Sequence, residues 1–229
     1  MSRRPTLNEM LWPDDPADAD LPVQWAESLS VQVLEWVWRS YDQLRDRHLA
    51  RVDFAQSAEQ LERNLTLLHF GEIQEIWARE TDGFSSLRPG HEIPEFENRI
   101  SPSAKPPAYD LGFIHTENQR WIWPVEAKVL PTSAALAEYL NDVRGKFVAG
   151  IAGPFVGEAG MIGYLLQGLP QDVFDKLIRE LGQPLLSVPE FSVRQHRSSQ
   201  HLRTDAPLLR LHHLIMELTG SSPAVGVAG

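Results

Sequence analysis

The chain has no cysteine among its 229 residues. Disulfide bonds, thiolate catalysis and cysteine-ligated zinc are therefore excluded, and nothing calls for an oxidising compartment. Lysine is almost as scarce, standing only at Lys105, Lys128, Lys146 and Lys176. Lys and Arg number 21 against 31 Asp and Glu, a formal net charge of −10. That balance argues against a generally basic nucleic-acid coat but leaves room for a local basic groove. No uninterrupted run of about 18 apolar residues occurs, and the first residues lack the apolar core of a signal peptide. The expectation is a cytoplasmic protein without a membrane partner. Nor is there a GxGxxG, a GK[ST] or an HExxH, so dinucleotide or P-loop phosphate cradles and zincin chemistry have no support.

What is present suits a folded chain. Hydrophobic residues make up 42% and charged ones 23%, which excludes a disordered chain and allows a core within one α/β domain over residues 25–219. Residues 1–24, rich in Pro and Asp, read as an irregular lead-in pinned by Leu11 and Trp12, and 220–229 as a loose tail. Between them, Leu29, Val33, Trp36, Val37 and Leu44 recur at helical spacing and predict an amphipathic helix over 28–47.

A second helix is expected over 57–80, with Ser57 as N-cap and Gly71 as a place where it can break. Leu61, Leu65 and Leu68 form its apolar stripe; Glu72 and Glu75 project onto that stripe and Glu62 onto its flank. An inward carboxylate needs a partner, and the bland alternative is an exposed acid at a helix end or one paired with Arg79. After a Pro- and Gly-broken stretch with room for a strand over 91–96, two apolar runs at 106–115 and 120–130 flank the turn TENQ and read as a β-hairpin. Pro124 implies a bulge, an edge, or pairing mainly from Val125 onward. Further helices are expected over 132–148, 161–167, 171–182 and 208–218, with a strand over 189–197. Trp36, Trp38, Trp77, Trp121 and Trp123 fall on these elements, so core packing is their default role.

The sharpest chemistry lies on the hairpin. Alternate strand residues share a face, so Glu126 and Lys128 point together while Val125, Ala127 and Val129 point to the core. If Asp110 on the preceding strand lies in suitable register, two carboxylates and one ammonium converge. Carboxylates hold hard cations such as Mg²⁺, and a cation with an ammonium beside it suits phosphodiester hydrolysis. An acid-x-Lys triplet arises by chance about once or twice in a chain of this length, so it is weak alone. Here lysine is scarce and the triplet sits on an apolar strand, where charge is costly. The structural alternative is a simple ion pair on an exposed strand face, or a helical VEAKVL, against which the preceding WIWP weighs.

Asp110, the step to Glu126, the triplet Glu126-Ala127-Lys128 and the helix afterward resemble the PD-(D/E)xK nuclease superfamily over residues 57–150. Tyr109 stands where that pattern has Pro. The resemblance implies a restriction-endonuclease-like mixed β-sheet flanked by helices, here with a helical N-terminal extension, and a Mg²⁺- or Mn²⁺-dependent nuclease acting on DNA. It assigns Asp110 and Glu126 to the metal, with the Ala127 carbonyl, and Lys128 to the attacking water. A further helix acid is implied; LERNLT nominates Glu62, whereas the helical wheel favours Glu72. Lys146, His201 and Arg203 are candidate phosphate contacts, enlarged to a basic patch by Arg194, Arg197 and Arg210. A role in bacterial defence, restriction or mobile-element conflict is in keeping with the resemblance. A homodimer or partner subunits, and a catalytically silent binding or interaction subunit of the same fold, stay open.

Overall fold

A computed structural model describes residues 16–83, 85–95, 108–119, 121–204 and 206–218, with side chains from residue 29. Residues 1–15 of the expected lead-in, residues 106–107 of the hairpin and the tail at 220–229 lie outside them. Helix α1 (Pro16–Arg47) begins earlier than expected, so 16–24 are helical rather than irregular. A proline is tolerated in a first turn, where its missing N–H has no partner to lose. Helix α2 (Ala58–Thr81) follows, its first turn capped by Ser57 accepting from the Gln60 N–H at 3.3 Å; Gly71 does not break it.

Strands β1 (Leu87–Pro94), β2 (Ala108–His115) and β3 (Ile122–Leu130) form an antiparallel meander. Helix α3 (Ala137–Asp142) runs on into a wider π-helical turn (Val143–Val148) and carries the chain across to β4 (Glu158–Leu165), which is parallel to β3. Helix α4 (Pro170–Leu181), closed by Gly182 at φ 66°, precedes β5 (Leu186–Ser187), β6 (His196–His201) and β7 (Leu209–Glu217). The seven strands lie in the order β1-β2-β3-β4-β7-β6-β5.

Both faces of this mixed sheet are covered. One carries Phe113, Trp123, Val125, Ala127, Ile162 and Leu214 against α1 and α2. The other carries Ile122, Leu130, Met161, Leu211 and Ile215 against α3 and α4. His69 of α2 ties three elements together, bonding the Tyr164 hydroxyl of β4 at 2.8 Å and the Val37 carbonyl of α1 at 2.9 Å.

The helix expected from 132 begins only at Ala137, and three further segments differ in kind from expectation. The helices expected over 161–167 and 208–218 are absent, and most of those residues lie in β4 and β7, adjacent central strands. Residues 189–197 hold a short 3₁₀ turn, Pro189–Phe191, and β6 begins only at His196. A strand buried on both faces carries no alternation, so its apolar run is indistinguishable from a buried helix by periodicity. Pro124 lies opposite Gly112 of β2, one residue before the ladder with β4 opens at Val125. Its missing N–H therefore removes no bond on the β4 side. No described helix is long and apolar enough to cross a membrane.

Candidate functional site

Strands β2 and β3 pair over residues 111–114 and 122–125 and then part. Past that point, the N–H groups of Ala127 and Val129 face the same edge of β3 with no strand among the described residues to receive them. Two carboxylates take the strand's place. Asp110 Oδ2 accepts from the Ala127 N–H at 2.8 Å, and Glu62 Oε2, reaching in from α2, accepts from the Val129 N–H at 3.1 Å. The divergence of the hairpin thus gathers acids at one spot, each with one oxygen engaged by backbone.

Lys128 lies between two elements. Its ammonium donates to Glu62 Oε1 at 2.9 Å and to the Ala127 carbonyl at 2.9 Å, and stands 3.4 Å from Asp142 of α3. Burial works against its charge, but Glu62, Asp110 and Asp142 outweigh that and hold its pKa above the ordinary lysine value. It is a fixed cation. Glu62 is itself pushed above the usual carboxylate range, burial outweighing the pull of Lys128.

Glu126 is 1% exposed on a neighbouring point of the same strand. Its Oε2 accepts from Lys146 at 2.9 Å, and Lys146 also donates to Asp142 at 3.1 Å. Its Oε1 is buried with no hydrogen-bond partner among the described residues. Burial first, and the charge of Asp110 second, raise the Glu126 carboxyl to about 8 against the opposing pull of Lys146. The shift expresses a shortage of positive charge at this spot.

Compared with family models, curated proteins and solved structures, the chain matches none. Its chemistry is therefore read from the site. Glu62, Asp110, Glu126, Lys128, Asp142 and Lys146 form one contiguous polar cluster linking α2, β2, β3 and α3. The sequence reading missed Asp142, although its i, i+4 spacing to one of only four lysines was a signal.

Other candidates lie elsewhere. Glu72 is buried as the helical wheel requires, but its partners are Arg47 at 2.9 Å and His48 at 2.7 Å at the end of α1. Arg203 gives its guanidinium to the carbonyls of Gly153 at 2.9 Å, Val156 at 2.6 Å and Pro207 at 2.8 Å, and so braces the loop before β4. Its pKa is lowered by burial to about 10. His201 is buried and bonds Ser199 at 2.7 Å and Gln183 at 3.2 Å. The expected basic patch is dispersed, with Arg194 held by Asp42 at 2.6 Å, Arg197 on the His196 carbonyl and Arg210 beside Glu158. Tyr109, standing where the motif has Pro, is fully buried, donates to Glu95 and accepts from the Gly153 N–H at 2.8 Å.

Among the described residues, no three His, Asp or Glu side chains form a ready-made metal cage. Mg²⁺ does not require one, since it commonly takes one or two carboxylates and keeps several waters. The donors present suit that pattern: the unpartnered Glu126 Oε1, the Asp110 carboxylate and the Ala127 carbonyl are hard oxygens on adjoining strands.

Proposed function

We propose that the chain is a Mg²⁺- or Mn²⁺-dependent nuclease of the restriction-endonuclease-like kind that hydrolyses DNA phosphodiester bonds. The observation that carries this reading is Glu126, buried, short of positive charge and with one bare oxygen, beside Asp110. An acid is kept in such a place at a cost to stability, which is characteristic of functional sites. The order of elements adds support: a helix bearing Glu62, a hairpin bearing Asp110, Glu126 and Lys128, and a crossover helix leading to a parallel strand follow the plan that the PD-(D/E)xK resemblance implies.

Asp110, Glu126 and the Ala127 carbonyl would hold the ion. The chemistry it supplies when bound is polarisation of a phosphate and acidification of a water. Lys128, kept charged by Glu62 and Asp142, is a poor proton acceptor at neutral pH. Its role is to orient the attacking water and to stabilise charge developing on the phosphate. Glu62 is a positioning residue, fixing Lys128 with one oxygen and the strand edge with the other. One observation favours a catalytically silent subunit instead, namely that both lysines of the cluster are already ion-paired.

Cleavage of supercoiled, linear duplex and single-stranded DNA with Mg²⁺ or Mn²⁺ separates the two. Nicking or degradation by the native chain is expected, reduced roughly a hundredfold or more by Glu126→Ala and by Lys128→Ala in folded protein. No cleavage of any substrate by the folded native chain, with no ion bound, overturns the nuclease.

A further inference from the structure

Resting on the reading of this cluster as a divalent-cation site, we propose that Lys146 is the site's resident cation: its ammonium occupies the Glu126 carboxylate in the free protein and yields it when a divalent ion binds. Of the two partners only one is free to move. Glu126 is locked in the sheet at 2% side-chain exposure, whereas Lys146 reaches in from solvent at 32% exposure on a long flexible stem. The stem rises from the π-helical turn Val143–Val148, a wider backbone that takes over from the α-helix three residues before Lys146. Such turns are frequent at functional sites.

The exchange is inexpensive because Asp142 already shares the ammonium. Lys146 bonds Asp142 at 3.1 Å as well as Glu126 at 2.9 Å, so leaving the strand does not leave it without a counter-charge. A single positive charge serves only part of the need, since Glu126 Oε1 stays bare while Lys146 is in place. A divalent ion brings a second charge and a use for that oxygen. Once displaced, Lys146 stands at the rim of the cluster with free donors, the arrangement a phosphate oxygen would use.

The probe is Mn²⁺ with the full-length chain and no nucleic acid, kept free of oxygen at about pH 9 so that Glu126 is ionised, its binding followed by electron paramagnetic resonance of the free ion. Lys146→Met, close in shape and uncharged, is expected to bind Mn²⁺ about fivefold more tightly than the native chain, the strength of one partly exposed ion pair. Equal or weaker binding by Lys146→Met overturns the competition while leaving the cation site standing. Absence of Mn²⁺ binding by both proteins overturns the cation site and this inference with it. A second measurement needs no variant. Amine-reactive labelling of the native chain, read by mass spectrometry, should rise severalfold at Lys146 when Mn²⁺ is added and stay constant at Lys176; unchanged labelling of Lys146 in Mn²⁺-bound protein overturns the displacement.

Discussion

Glu126 shows how far a single side chain is governed by its surroundings. In the unfolded chain its carboxyl loses its proton near 4.5, whereas in the fold, burial and Asp110 hold the proton to about 8. Between those values the folded state binds more protons than the unfolded one. The contribution of this residue is therefore complete below about pH 4.5 and is lost as pH rises through about 8. Thermal melts without divalent ions, run from pH 6 to pH 9, should show the native chain losing stability relative to Glu126→Gln, which has nothing to titrate. Parallel curves for the two proteins would refute the raised carboxyl. Glu126 and Lys128 were legible as a pair because strand alternation places them on one side. The choice between Glu62 and Glu72 was not legible, because both acids lie near the inward side of α2 and are separated only by what packs against each end of it. Glu72 meets Arg47 and His48, while Glu62 meets Lys128, 66 residues along the chain.

Helices bordered by solvent on one side were read correctly from their pattern, whereas among strands covered on both faces only the pair joined by a polar turn was. The α2 stripe at Leu61 and Leu65 carried its own period, and the buried β2–β3 hairpin was marked by the polar turn TENQ between its two apolar runs. Strands β4 and β7 carried Leu, Met, Gly and His in runs that look helical, and only their neighbours make them strands. The glycines record the difference. A Cβ on Gly163 of β4 would come within 2.7 Å of Leu130 Cδ1 and 3.0 Å of Ile215 Cδ1, whereas one on Gly71 of α2 would meet nothing within 4 Å. Opposite effects follow from the same substitution. Gly163→Ala is expected to destabilise by about 1–3 kcal/mol through overpacking between β3 and β7. Gly71→Ala, in an exposed helix interior, is expected to stabilise by up to about 1 kcal/mol. Chemical denaturation of the two variants measures both, and a shift of the same sign in each would contradict the assignment of 158–165 to a central strand.

Across the whole molecule the histidines join helices to the far half of the sheet. Trp38 of α1, which can only donate, gives its N–H to His196 Nδ1 at 3.3 Å, so His196 must donate from Nε2 to His212 Nδ1 at 3.0 Å. On the other face the Tyr139 hydroxyl, His213 and Ser199 continue in one chain to His201, at 2.9, 2.8 and 2.7 Å. The Trp38–His196–His212 contacts need neutral rings, and burial keeps His69 and His213 neutral as well. Burial lowers His69 to about 4 and His213 to about 3, and the nearby charges of His212 and others add to burial in lowering His196. A depressed histidine contributes stability above its unfolded value near 6.5 and loses it as pH falls toward the folded value. At pH 5, His69 and His213 should each have lost up to about 2 kcal/mol. Urea denaturation of Glu126→Gln, which removes the oppositely titrating carboxyl, at pH 7.5 and pH 5 tests this, and equal stability of that variant at the two pH values would rule it out.

The sequence by itself determined what short-range periodicity and composition can carry: the two N-terminal helices, the hairpin, the absence of thiol chemistry, and the pairing of Glu126 with Lys128 on one strand face. Those depend on neighbours within a few residues, where geometry is set by the backbone repeat. Only the tertiary structure decided that β2 and β3 part just beyond Val125, that Glu62 rather than Glu72 reaches the opened edge, and that Asp142 and Lys146 close the cluster. It alone turned the final apolar run into a central strand. Such outcomes depend on which surfaces remain to be covered once the sheet is assembled, and burial is a property of the assembled whole rather than of any segment.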